Sequence, residues 1–230
     1  NTAMGSNALK ENTTGTNNTA VGYNAGAAVT TGVNNTLIGG LAGDAITTAN
    51  SNTAVGQAAL TASTTGANNV SIGYQSLFDN TTGGSNAAIG YRALANNTSA
   101  DNNTAVGTDA LFANTTGTNN VAIGANALDA NTTANRNIAI GTDTLGANTT
   151  GAENVGLGYN ALRQQTTGNR NTSIGDATMD SNTTGSDNTA VGKSALTANT
   201  TGAESTAVGT GALDSNTTAS RNAAFGYNAG

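Results

Sequence analysis

Large apolar residues recur along this chain every 17 residues, each directly before a glycine. The first such pair is Met4-Gly5, the last is Phe225-Gly226, and every 17-residue step between them carries an equivalent pair. A fixed period of this length is typical of repeat proteins, in which each repeat forms one unit of supersecondary structure. We therefore number positions 1 to 17 within the repeat, and residues that share a position form a column.

The repeat has the consensus N-T-A-V-G-x-x-A-L-x-x-N-T-T-G-x-N, with strand-like stretches at positions 1–5, 8–9 and 12–14. Position 4 is always large and apolar, position 2 is mostly Thr, Val or Ile, and position 3 is nearly always small. Because side chains alternate between the faces of a strand, positions 2 and 4 are predicted to face the core. The predicted core residues are Val21, Ile38, Val55, Ile72, Ile89, Val106 and Ile123 at position 4, and Leu60, Leu94 and Leu128 at position 9.

Two full repeats have glycine at position 9 and compensate elsewhere. Where position 9 is Gly26 or Gly43, position 12 is Val29 or Ile46 instead of the usual Asn. Close packing requires that one core volume be filled from one site or the other. This exchange indicates that positions 9 and 12 approach each other inside the coil.

Several columns predict contacts between successive coils. Residue i lies over residue i+17 when coils stack as parallel strands, so the Asn column at position 1 and the Thr column at position 13 form ladders of identical residues. The Asn amides of position 1 can bond their copies above and below. Charges at position 17 nearly alternate in sign from Arg136 to Arg221, which favours pairing between coils. The glycine found in every repeat at position 5 indicates a positive φ or a close approach of a neighbouring chain.

These features predict an all-β fold, a parallel β-solenoid of the β-roll or β-helix type with 17-residue coils. Residues 1–230 are predicted to form one array of 13 full repeats and a 9-residue partial repeat, cut from a longer chain. With positions 4 and 9 inside, the small residues of positions 3 and 8 would face outward as two flat ranks, and such apolar surface usually marks an interface. The predicted chain interface, unless these alanines only form tight corners, includes Ala54, Ala59, Ala105 and Ala110.

Composition argues against several classes of function. Histidine and cysteine are absent, which excludes Ser-His and Cys-His catalysis and the usual zinc sites, and no enzymatic activity or cofactor is predicted. A net charge of −6 with only 7 basic residues disfavours nucleic-acid binding. No apolar run of the ~18 residues that a membrane span needs is present, so this segment is predicted not to insert into a membrane.

The tyrosines share position 6, beside the glycine of position 5. They could stack on the sugars of a receptor, or each could cover the adjacent glycine and pack on the next coil, which is the favoured interpretation. The candidate glycan-stacking residues are Tyr23, Tyr74, Tyr91, Tyr159 and Tyr227.

Two motifs carry a resemblance to known families over the whole chain. The segment N-T-A-V-G-Y-N-A-G at 18–26 and the N-T-T-G at 114–117 resemble repeats of phage tail-fibre-type proteins. The strand motif N-V-A-I-G at 120–124 is similar to the head repeat of trimeric autotransporter adhesins, which form left-handed parallel β-rolls as homotrimers, although adhesin heads use a shorter repeat. The resemblance implies a left-handed homotrimer that serves as an adhesive or spacer rod.

The expected function is therefore that of an extracellular fibre shaft, either a virion tail fibre or a cell-surface appendage, which spaces or presents a receptor-binding tip. Its expected partners are copies of itself and a host-surface glycan or protein receptor. A self-assembling extracellular filament or surface-layer component is the alternative. An ice-binding solenoid is disfavoured, because alternation along a strand would give one outward threonine rank from Thr13-Thr14 and its repeats rather than two.

Overall fold

The computed structural model describes all of residues 1–230 and shows an all-β parallel β-solenoid of about 13 coils with 17-residue spacing and no helix. The fold class and coil length predicted from the repeat are thereby confirmed. Each coil contributes one three-residue strand, and the rest of the coil consists of turns and bends. The chain divides into two compact units, Asn1–Thr118 and Asn119–Gly230.

Each unit contains seven strands that pair in parallel with residue i opposite residue i+17, as in Thr36 opposite Thr53. The strands of the first unit are β1 (Thr2–Met4), β2 (Thr19–Val21), β3 (Thr36–Ile38), β4 (Thr53–Val55), β5 (Val70–Ile72), β6 (Ala87–Ile89) and β7 (Thr104–Val106). Those of the second unit are β8 (Val121–Ile123), β9 (Ile138–Ile140), β10 (Val155–Leu157), β11 (Thr172–Ile174), β12 (Thr189–Val191), β13 (Thr206–Val208) and β14 (Ala223–Phe225).

The strands face the opposite way from the prediction. Position 3 points into the coil, whereas positions 2 and 4 point out, so that Ala88 is 0% exposed and its neighbour Ile89 is 40% exposed. The prediction that position 4 lies in the core is therefore wrong. It fails, with side chains half-buried or exposed on the outer face, for Val21, Ile38, Val55, Ile72, Ile89, Val106 and Ile123. The position 9 leucines Leu60, Leu94 and Leu128 are each 0% exposed, and this part of the predicted core is confirmed.

The narrow interior of the coil explains this orientation. Position 3 lies opposite position 8 across the core: the Ser71 hydroxyl donates to the Ser76 carbonyl oxygen at 2.8 Å, and the Ser173 hydroxyl donates to the Thr178 carbonyl oxygen at 2.9 Å. Only small side chains fit between two walls that are this close. The small residues of positions 3 and 8 therefore lie inside, together with the leucine that most coils carry at position 9, and the larger side chains of position 4 lie outside.

The predicted alanine interface is excluded by the same geometry. All its members are 0% exposed and lie inside the coil, where no second chain can reach them: Ala54, Ala59, Ala105 and Ala110. A contact between chains must therefore use another surface.

Leu37 is the one large side chain at position 3, and it shows how the core volume is shared. A Cβ on Gly26 would stand 2.7 Å from Leu37 Cδ1, and a Cβ on Gly43 would stand 2.7 Å from Leu37 Cδ2. Leu37, Val29 and Ile46 are each 0% exposed. The predicted exchange between positions 9 and 12 is confirmed, and position 3 also takes part in it.

Two asparagine columns and one threonine column join the coils. In the position 1 column, the Asn86 Nδ2 donates to the Ala100 carbonyl oxygen at 2.8 Å, which closes the coil, and Asn86 Oδ1 accepts from the Asn103 backbone N–H at 2.9 Å. In the position 12 column, Asn97 Nδ2 donates to Asn80 Oδ1 at 2.7 Å. The hydroxyls of the position 13 column donate to the carbonyl oxygen 17 residues later, as the ladders predicted from the sequence require.

Charged side chains pair between neighbouring coils. At position 17, Arg170 Nε donates to Asp187 Oδ1 at 2.6 Å, and this guanidinium lowers the pKa of the Asp187 carboxyl below its ordinary value. The other position 17 pairs are Arg136–Glu153 and Glu204–Arg221. All these side chains are largely exposed, so each pair contributes at most ~1 kcal/mol to the free energy of folding.

Three corners of each coil adopt left-handed backbone at positions 7, 9 and 17, with φ near +55°. This conformation costs a residue with a Cβ ~1–2 kcal/mol of conformational free energy, and it costs Asn and Asp less. Asparagine is accordingly frequent at positions 7 and 17, whereas position 7 also holds Ala58 and Ala177.

Replacing Ala177 with glycine should stabilise the second unit by about 0.5–1 kcal/mol, because its φ of +51° strains an alanine but not a glycine. The matched control is Ala125→Gly in the same unit, since Ala125 lies outside the left-handed region and the change only makes the unfolded chain more flexible. Thermal unfolding followed by circular dichroism should give a higher midpoint for Ala177→Gly and a lower one for Ala125→Gly. Equal midpoints would show that this corner is unstrained.

Candidate functional site

The outward side chains of the strands form an apolar surface on each unit, which we call the aliphatic face. In the first unit its position 4 residues are Met4, Val21, Ile38, Val55, Ile72, Ile89 and Val106. In the second unit they are Ile123, Ile140, Leu157, Ile174, Val191, Val208 and Phe225. Position 2 adds Thr, Val, Ile or Ala beside them, as at Val70, which is 36% exposed. No other residues of the protein cover this surface.

The aliphatic face is large and carries no charge. All charged residues lie at positions 6, 7, 10, 11, 16 and 17, away from the strand positions 2 and 4. Seven strands at ~4.8 Å spacing, with two outward residues each, present on the order of 400 Å² per unit. Contiguous apolar patches of this size usually mark an interaction surface on a soluble protein.

The tyrosine column is exposed, but its members have different surroundings. Tyr74 and Tyr91 stack on each other with ring centroids 5.5 Å apart. The Arg92 guanidinium lies 5.0 Å from the Tyr91 centroid and 4.7 Å from that of Phe112. It also forms two 2.8 Å bonds with the Asp109 carboxylate, which raise the pKa of Arg92. These two tyrosines are therefore packed against neighbouring coils, as the favoured interpretation expects.

The other candidate tyrosines lack such a stacked partner, and they are more exposed. Tyr23 is 59%, Tyr159 is 56% and Tyr227 is 79% exposed. A ligand ring could reach these side chains more readily than Tyr91. The structure thus separates the five tyrosines that one column of the sequence grouped together.

Each unit has an open groove along the position 10 column, where a small residue lies between larger charged ones. In the first unit Ala27 lies between Lys10 and Asp44, in a groove of about 290 Å³. Partial burial there raises the pKa of the Asp44 carboxyl above its ordinary value. In the second unit Gly146 lies between Asp129 and Arg163, in a groove of about 460 Å³.

The acidic side chains do not form a metal centre: no group of three or more His, Cys, Asp or Glu is placed to hold an ion. The structure contains no helix that is long and apolar enough to cross a membrane. Comparison of the chain with protein-family models, curated proteins and solved structures finds no match.

Proposed function

We propose that this chain is a non-enzymatic structural element of an extracellular fibre, in which three parallel copies pack through their aliphatic faces. The fibre belongs to a virion tail or a cell-surface appendage, and it spaces or presents a receptor-binding tip. The single observation that carries the proposal is the outward column of large apolar side chains, half-buried or exposed, on the strands of both units.

Burial of this column supports self-association on energetic grounds. Most coils bury only one large apolar side chain of their own, usually the leucine of position 9, so the core of a single chain is small. Apolar surface removed from water contributes roughly 25 cal/mol per Å². The face of each unit offers on the order of 400 Å², about half of what one partner contributes to an interface of standard size.

A second copy of the chain fits this surface better than an unrelated partner does. The aliphatic face repeats every ~4.8 Å along the strand-pairing direction, and a partner that buries all of it must present a surface with the same period. A parallel copy has that period by construction, and flat sheets pack face to face at ~10 Å. The resemblance to adhesin heads supports three copies and a left-handed winding.

Light scattering on the purified chain should report three copies, and the double variant Ile72→Glu with Ile89→Glu should report one. These two residues are 37% and 40% exposed, so glutamate fits the free chain but places charges in the buried contact. The matched control is Thr65→Glu with Thr82→Glu, exposed residues of two successive coils outside the aliphatic face, and it should stay trimeric.

Monomeric wild-type protein, or a trimer that persists in the double isoleucine variant, would contradict the proposed contact. Wild-type particles that grow with concentration without limit would instead favour a polymerising filament. Circular dichroism of each variant confirms that the solenoid is intact before its mass is interpreted.

A further inference from the structure

The groove of the second unit interrupts the row of side chains that the position 10 column forms on the surface. Most coils carry a side chain with polar or aromatic atoms at position 10, but this coil has Gly146 there. A Cβ at this position would stand 3.4 Å from Asp129 Oδ1, so the missing side chain leaves space beside the carboxylate. The opening of about 460 Å³ lies within the 300–1,000 Å³ range typical of small-molecule sites.

The groove combines one aromatic ring with planar polar groups. Its lining includes Tyr159, Asp129, Asp143, Arg163 and Gln164. Carboxylates accept hydrogen bonds through two oxygens, a guanidinium donates in fixed directions, and an amide both donates and accepts, which together suit the adjacent hydroxyls of a sugar ring. The exposed Tyr159 ring offers an apolar face on which the C–H face of a pyranose can lie.

Two of these polar groups are held in place by neighbouring coils. Arg163 donates to both oxygens of Asp180, at 2.8 and 3.2 Å, and Asn126 Nδ2 donates to Asp143 Oδ1 at 3.0 Å. Side chains that are already ordered lose little entropy when a ligand binds. The groove is therefore preorganised on both sides of Gly146.

The charges of the groove select among saccharides. The lining of the groove contains two carboxylates and one guanidinium, and this guanidinium is paired with Asp180, so the formal charge of the groove is negative. An anionic sugar would be repelled by these carboxylates, whereas the hydroxyls of a neutral sugar can donate to them. We propose that this groove binds a neutral saccharide of one or two rings, a role that goes beyond the shaft function and does not depend on it.

The groove of the first unit provides an internal comparison. It has the same arrangement of a small residue between a cation and an acid, but no tyrosine lines it, and its volume is smaller at about 290 Å³. Without an aromatic face for the ring, it should not bind sugars. Tyr23, which has the same position in its coil as Tyr159, lies outside that groove and serves as a matched control.

Saturation-transfer-difference NMR on the full chain tests the proposal. The probes are methyl β-galactoside, methyl α-mannoside, N-acetylglucosamine and maltose, with N-acetylneuraminic acid as the anionic comparison. We expect transfer to at least one neutral sugar with a Kd on the order of 1 mM, and none to N-acetylneuraminic acid. Tyr159→Ala should weaken binding roughly tenfold, and Tyr23→Ala should leave it unchanged.

Gly146→Phe should abolish binding by filling the groove. Phe112 occupies the same position of its coil, and Gly146 lies outside the left-handed region, so the variant is compatible with the fold. The proposal is overturned if none of the neutral sugars receives saturation, if the anionic sugar binds equally well, or if Gly146→Phe and Tyr159→Ala bind like the wild type.

Discussion

Replacing Gly39 with alanine should destabilise the first unit by roughly 3 kcal/mol or more, whereas the same change at the adjacent Gly40 should shift stability by less than about 1 kcal/mol. Gly39 has φ +135°, a backbone conformation that residues with a Cβ rarely adopt, while Gly40 lies outside the left-handed region. A Cβ on Gly39 would also collide with the Gly56 carbonyl oxygen of the next coil, whereas a Cβ on Gly40 would meet no atom within 4 Å.

The backbone conformation is the more important of these two causes. At position 15, a Cβ on Gly32 would also stand too close to a carbonyl oxygen, 2.5 Å from that of Ala49, yet four coils carry alanine in this column. Position 15 has ordinary φ values, and small shifts of neighbouring atoms can relieve the close approach there. At position 5 all glycines have φ between +126° and +142°, and every coil keeps glycine.

Urea and thermal unfolding of Gly39→Ala and Gly40→Ala, followed by far-ultraviolet circular dichroism, give the comparison. Midpoints of the two variants are compared directly, because a repeat array unfolds with limited cooperativity and one free energy for the whole chain is poorly defined. Equal midpoints for the two variants would show that the position 5 backbone relaxes freely, contrary to the structure.

Much of the fold follows from the repeat alone. The 17-residue period, the parallel pairing of residue i with i+17, the special backbone of position 5 and the Leu of position 9 in the core are all predicted and observed. Each of these features depends either on a few neighbouring residues or on the stacking of one coil on the next. The sequence of one repeat is therefore enough to predict them. The column of tyrosines on the surface is predictable for the same reason.

The predicted orientation of the strand is wrong because residue size is not a sign of burial in this coil. Large apolar residues usually fill cores, but this coil is too narrow for them on the strand side. One exchange in the sequence indicates the observed orientation: Leu37, the one large residue of position 3, lies between Gly26 and Gly43, which are glycines of position 9 in two successive repeats. A large residue at position 3 thus replaces the large residues that are missing at position 9, which indicates that both positions face the core of the coil.

Other pairs of residues carry the same information about positions 3 and 8. Ser71 and Ser76 are both hydroxyl residues within one coil, and their hydroxyls are hydrogen-bonded. Thr144 at position 8 precedes a coil whose position 3 is Gly156, and a Cβ there would stand 2.6 Å from Thr144 Cγ2. Residue pairs whose types match or whose sizes compensate show which two positions face each other across the core. The polarity of a single column does not show this.

The grooves could not be predicted from the sequence. Gly146 and Ala27 are small residues at a variable position, and their neighbours Asp129 and Lys10 are 17 residues away. Whether a small residue there leaves a groove depends on how far the flanking side chains reach along the surface. That distance depends on side-chain conformations, which the repeat pattern does not specify.

The second large effect is expected for the asparagine ladder: Asn52→Ala should destabilise the first unit by about 2–4 kcal/mol. Asn52 is 0% exposed, its Nδ2 donates to the Gly66 carbonyl oxygen at 2.9 Å, and its Oδ1 accepts from the Asn69 backbone N–H at 2.9 Å. Alanine removes both bonds. The two backbone groups then stay in the interior without these partners, and each such loss costs about 1–3 kcal/mol.

Asn52→Ser is the matched control, because one coil already carries serine in this column. The Ser205 hydroxyl accepts from the Asn222 backbone N–H at 3.2 Å, so serine at position 52 should keep the bond to Asn69 and lose only the bond to Gly66. Its cost should be about half that of alanine. Hydrogen exchange separates the two effects, since the Asn69 amide should exchange much faster in Asn52→Ala than in Asn52→Ser. If both variants protect that amide equally, the side-chain acceptor does not hold it, and the ladder contributes through packing rather than through hydrogen bonds.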